Sequence, residues 1–163
     1  MSYASGTTVS SERSKAEIEA ILKNYGADQF LHGWKEGQVV IGFRAGNRMI
    51  RFNLPLPQLD EFKVIKIKAR RGDYYHERQR SELSQRDAHE QEIRRRWRAL
   101  ALVIKAKLEA VSSGITSFEE EFLAHIVLPG GKTVYEETRQ GIKHAYDSGK
   151  TDGLLLGFSG DKP

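Results

Sequence analysis

Between Gln29 and Leu54 the chain alternates apolar and polar residues in three consecutive runs, Gln29–Trp34, Gln38–Ala45 and Arg48–Leu54. The runs are separated by Glu36-Gly37 and Gly46-Asn47, short turn signals that favour tight hairpins. In the second run Val39, Ile41 and Phe43 alternate with Val40, Gly42 and Arg44. In the third, Ile50, Phe52 and Leu54 alternate with Met49, Arg51 and Asn53. A period of two with one apolar face is the pattern of a half-buried antiparallel sheet. Such a face must be covered by a second layer, which narrows the fold more than any other feature.

The covering layer is legible as helices. Ser14 and Glu17 have the spacing of a capping box, and Ile18, Ile21, Leu22 and Tyr25 then share a helical face ahead of Gly26. A long helix is predicted from about Asp87 to Val111, with Ile93, Trp97, Leu100, Ile104, Leu108 and Val111 as a continuous apolar stripe. Ser117 and Glu120 form another capping box, and Phe118, Phe122 and Ile126 supply a short helix with a buried face. Pro129-Gly130-Gly131 is a break. A last helix, roughly Val134 to Asp147, presents Val134, Ile142, Ala145 and Tyr146 and closes at Gly149.

Pro55 and Pro57 end the third strand, and Phe62–Ala69, where Ile65 and Ile67 alternate with Lys66 and Lys68, reads as a fourth, edge-type strand. The expected fold class is α+β: an N-terminal helix, an antiparallel β-meander of three to four strands, then a long helix across one sheet face and two shorter helices. Residues 1–11 read as a flexible tail, 12–150 as a single domain with a polar connection at 70–92, and 151–163 as a C-terminal tail.

With 163 residues the chain is long enough for one domain with a real core. The absence of cysteine removes disulfides, thiolate zinc sites and cysteine nucleophiles, and fits a reducing compartment. No apolar run approaches the roughly 20 residues of a membrane span, and the first residues lack the apolar core of a secretory signal. The expected location is the cytoplasm.

No nucleophile elbow, P-loop or dinucleotide fingerprint is present. Pro129-Gly130-Gly131-Lys132-Thr133 before a helix has some features of a phosphate-binding turn without the full spacing. Glu121 and His125 stand four apart, as two metal ligands on one helix would, but no third ligand is evident and a surface pair is the plainer reading. Asp60, Glu61, Asp73 and Asp87 are scattered. The reading is non-catalytic, with no metal and no cofactor.

Basic residues carry the strongest functional signal. The sequence holds 26 lysines and arginines against 22 acidic residues, a net charge of +4. Arg94, Arg95, Arg96 and Arg98 surround Trp97, with Lys105 and Lys107 following. Positive charge near a helix N-terminus opposes the macrodipole, so these arginines lack an obvious local role. Arg44 and Arg51 point away from the core side of the meander, and Lys66 and Lys68 lie on the next run. Tyr74 and Tyr75 near Arg70 and Arg71 offer stacking surfaces.

The candidate nucleic-acid-binding residues are therefore Arg44, Arg51, Lys66, Lys68, Arg70, Arg71, Arg94, Arg95 and Arg98. Against this, the same residues can simply keep surfaces solvated, and the helix arginines can pair with Glu90 and Glu92 one turn away. Trp97 reads as a core anchor rather than a base-stacking platform.

Two stretches, SKAEIEAILKNYGADQFLHGWKEGQVVIGFRAGNRMIRFNLPLP and RRRWRALALVIKAKLEAVSSGITSFEEEFLAHIVLPGGKTV, together about half the chain, carry a resemblance. Trp97-Arg98-Ala99-Leu100 and Phe118–Phe122 are its most specific parts. The chain resembles a group of small cytoplasmic proteins, without assigned activity, of tailed bacteriophages and prophages. The resemblance implies a bacterial host cytoplasm and neighbours in DNA metabolism or host takeover, and it brings no catalytic residue. The expected function is a nucleic-acid-binding accessory protein of phage DNA metabolism. The alternative is a phage inhibitor that binds a host defence or transcription protein. A nucleotide-processing enzyme stands third.

Overall fold

The computed structural model describes residues 4, 6–35, 37–68 and 74–151. Helix α1 spans Ser11–Tyr25, followed by strands β1 (Gln29–Lys35), β2 (Gln38–Ala45) and β3 (Arg48–Pro55). The three strands form an antiparallel sheet in the order β1-β2-β3. Ala45 pairs with Arg48, so Gly46-Asn47 is a two-residue hairpin loop. Both loop residues take positive φ, 53° and 60°, as a type I′ turn demands.

The inner face of this sheet carries Val39, Ile41, Phe43, Ile50, Phe52 and Leu54, all buried. Helix α2, Glu82–Ser112, covers it with Trp97, Leu100, Ala101, Ile104 and Leu108. Ile18 and Leu22 of α1 complete that layer. Helix α3, Phe118–Phe122, brings Phe122 edge-on to Phe43 and Phe52, with ring centroids 5.8 and 6.4 Å away. Trp97 is a core residue, only 2% exposed, with Lys15 Nζ 4.9 Å from its ring centre.

Three expectations are corrected. Ser10, not Ser14, caps α1, accepting from the Arg13 backbone N–H at 3.1 Å. Ser14 instead lies on the inward face one turn ahead of Ile18, fully buried, because the apolar stripe extends back through it. The helix therefore gains a turn at its start.

Secondly, the run after β3 is not a fourth strand of the meander. It forms β4 (Val64–Lys68), which pairs with β5 (Tyr75–Gln79) in a separate two-stranded ribbon. Proline at 55 and 57 and a 3-10 turn at Leu59–Phe62 turn the chain away from the sheet edge. The partner strand lies in the polar connection, where no apolar alternation marks it.

Thirdly, α2 begins at Glu82 rather than near Asp87, with Ser81 as its cap. Its 31 residues make it about 46 Å long, longer than the sheet it covers. Gln85 Nε2 donates to Leu59 O at 2.8 Å and His89 Nε2 lies 3.0 Å from Pro57 O, tying the overhang to the 3-10 turn.

Helix α4, Val134–Ser148, starts from a capping box of Thr133 and Glu136 and ends at Gly149 in the left-handed region. None of its residues is fully buried: Val134 and Ala145 are half-buried, while Ile142 and Tyr146 are exposed. Among the described residues no helix is long and apolar enough to cross a membrane.

Candidate nucleic-acid interface

Seven of the nine basic residues singled out from the sequence lie among the described residues, and they fall into three environments. Arg44 and Arg51 occupy the outer face of the sheet, opposite the face that α2 covers, as strand alternation requires. Neither stands free. Arg44 grips Asp28 with both Nε and Nη2, at 2.8 and 2.7 Å. This hydrogen bonding holds the Asp28 carboxyl below its ordinary range. Arg51 donates to Gly131 O at 2.8 Å and to Glu136 Oε2 at 2.5 Å, bridging β3 to the start of α4.

On α2 the arginines are also committed. Arg95 and Arg96 converge on Glu92, and hydrogen bonding from Arg95 leads the downward shift of the Glu92 carboxyl. Arg96 reaches on to Pro55 O. Arg94 hydrogen-bonds Gln91 Oε1 at 2.8 Å and lies 3.7 Å from Glu90. Arg98 pairs with Glu17 across to α1. The pairing with Glu90 and Glu92 is the local arrangement that the i, i+3 and i, i+4 spacing allows. Arg98–Glu17, 81 residues apart, leaves no trace in local spacing. Arg44 and Arg51 thus lie across the sheet from the α2 arginines, and these two groups do not share one surface.

The ribbon is different. Register pairs Lys66 with Glu77 and Lys68 with Tyr75, so Lys66, Lys68, Tyr75 and Glu77 share one ribbon face. Ile65, Ile67, His76 and Arg78 share the other. All of β5 is exposed, as are Lys66 and Lys68. Lys66 and Glu77 are 3.9 Å apart, with side chains 73% and 65% exposed, so this pair is solvent-screened and worth little. Tyr74 is exposed as well. Arg70 and Arg71 lie outside the described residues. Sequence reading found the lysines but missed the ribbon that aligns them with Tyr75. Arg78 and Arg80 belong to the same basic stretch, whose density from Lys63 to Arg80 is legible in the sequence.

Glu121 and His125 do not form a ligand pair. The Glu121 carboxylate accepts from Lys107 Nζ at 2.9 Å, while His125 stacks on Phe52 with ring centroids 4.0 Å apart. Burial is the main cause that lowers the His125 pKa, with Lys107 adding to it. Among the described residues no group of three or more histidine or acidic side chains is placed to hold a metal ion. No family model, curated protein or solved structure matches the chain.

Proposed function

We propose that the protein is a non-catalytic nucleic-acid-binding accessory protein, of the kind used in phage DNA metabolism, whose contact element is the β4–β5 ribbon. One observation carries this reading: a ribbon with a fully exposed second strand presents Lys66, Lys68 and Tyr75 on one face. A two-stranded ribbon is narrow enough to enter the major groove of a duplex. Lysines on such an element engage phosphates, and tyrosines can stack on unpaired bases. The Lys66–Glu77 pair is solvent-screened and weak, whereas the α2 arginines would have to leave partly buried carboxylates. Arg70 and Arg71, between β4 and β5 in the sequence, extend the basic stretch. The phage setting rests on the sequence resemblance.

Fluorescence anisotropy with random single- and double-stranded oligonucleotides tests the reading. Binding is expected at about 50 mM salt and weakens as salt rises. Lys66→Glu combined with Lys68→Glu should weaken it about tenfold or more. No binding at low salt, or equal binding by the double variant, sinks the proposal.

The second reading, an inhibitor that binds a host protein, is favoured by a separate observation. Tyr135, Ile142 and Tyr146 are exposed at spacings of seven and four along α4, forming a short apolar stripe.

A further inference from the structure

The outer face of the sheet carries a site remote in character from the ribbon. Where α4 comes over the outer face, a cleft of about 640 Å³ opens between them. That volume lies within the range of roughly 300–1,000 Å³ found for small-molecule sites. Its walls include Lys35, Gln38, Arg51, Asn53, Arg139 and Gln140, so polar groups converge from β1, β2, β3 and α4.

The charge balance inside it is informative. Lys35, Arg51, Lys132 and Arg139 face two carboxylates, Glu136 and Glu137, which leaves a formal surplus of +2. Both carboxylates are already occupied. Glu136 accepts from the Thr133 N–H at 2.7 Å and from Arg51, and Glu137 lies 3.1 Å from Lys132 Nζ. Lys35 and Arg139 make no ion pair with any described residue. The unspent charge of the cleft is therefore carried by two side chains, one from β1 and one from α4.

Arg51 forms a fixed part of the floor. Gly131 O and Glu136 hold two of its nitrogens, while its buried Nε has no acceptor among the described residues. A buried donor left unpaired costs stability and calls for an explanation beyond packing. Gln38, Asn53 and Gln140 add neutral donors and acceptors, the complement that fixes a ligand's orientation.

We propose that this cleft binds a small phosphomonoester dianion, with Lys35 and Arg139 closing on the phosphate and the three amides contacting the group it carries. A dianion matches the two uncompensated cations, where a single carboxylate would match only one. The proposal is independent of nucleic-acid binding by the ribbon.

The test is an amide NMR titration of the full chain with inorganic phosphate and, separately, glycerol 3-phosphate, at constant ionic strength in chloride. Saturable shifts are expected at residues 35 and 139 with both ligands, and at residues 38, 53 and 140 with glycerol 3-phosphate. Lys35→Gln combined with Arg139→Gln should weaken binding about tenfold or more, as expected for lost charge-assisted hydrogen bonds. The ribbon variant Lys66→Glu/Lys68→Glu should bind phosphate unchanged, which separates this site from the ribbon. Shifts that stay linear, that chloride reproduces, or that saturate equally in the cleft variant overturn the proposal. Both cleft substitutions fall on exposed side chains, so the fold persists in the variant.

Discussion

His125 and the partnered carboxylates set the acid sensitivity of this protein side chain by side chain. Burial on Phe52 holds the His125 pKa below the ordinary value of 6.5. The unfolded chain then binds the ring proton first, so stability is complete above that value and declines as pH falls below it towards the folded value. Glu92 and Glu136 are shifted down from 4.5, led by the Arg95 side chain and the Thr133 backbone N–H respectively. Their contribution is complete above 4.5 and is lost as pH falls through their folded values. Thermal unfolding followed across pH should therefore show two successive losses on acidification. His125→Phe, which keeps a ring against Phe52, is expected to remove the first and leave the second. A variant whose midpoint still falls below pH 6.5 as the parent does would show that His125 is not responsible. None of this was legible beforehand, because the burial of a lone histidine depends on what stands opposite it.

Helix ends show how far local signals reach. The capping box of Ser117 and Glu120 forms as its spacing predicts, with reciprocal hydrogen bonds of 3.2 and 2.9 Å. Thr133 and Glu136 have the same signature and form the same box at the start of α4. The equivalent spacing of Ser14 and Glu17 does not cap α1, because Ser14 faces the core and Glu17 serves Arg98. These alternatives differ measurably. Ser10→Ala should cost about 1 kcal/mol, the usual loss for a helix cap. Ser14→Ala should be neutral or stabilising, since it removes a buried hydroxyl with no partner among the described residues. Urea unfolding of the two variants decides between the two serines, and a larger loss at Ser14 would restore it as the cap.

For the whole molecule, the division of labour between body and ribbon is the main consequence. The buried core is drawn from α1, the three-stranded sheet, α2 and α3, and among the described residues neither β4 nor β5 contributes a buried one. Replacing residues 64–79 with a short glycine-serine connection should therefore leave helical circular dichroism almost unchanged. The thermal midpoint should shift by only a few degrees, as for a loss of about 1 kcal/mol. The same replacement should abolish oligonucleotide binding. Collapse of the fold would show instead that the ribbon supports the body.

The sequence by itself determined the meander, its Gly46-Asn47 turn, the core stripe of α2 with Trp97 inside it, and the box that starts α3. Each of these is written in residues a few positions apart, where period, turn chemistry and capping act directly. Only the tertiary structure decided that β4 leaves the sheet for a partner with no apolar pattern. It alone paired Arg51 with Glu136 and Arg98 with Glu17, 85 and 81 residues away. The charge of an arginine is legible in sequence, but its availability is not, because a distant carboxylate reaches it only through the folded chain. Nor could spacing show that α4 would come over the outer sheet face and line a cleft in which Lys35 and Arg139 have no ion-pair partner among the described residues. The meander that first constrained the fold thus has two faces of different character, an inner one legible from alternation and an outer one defined by what α4 leaves open.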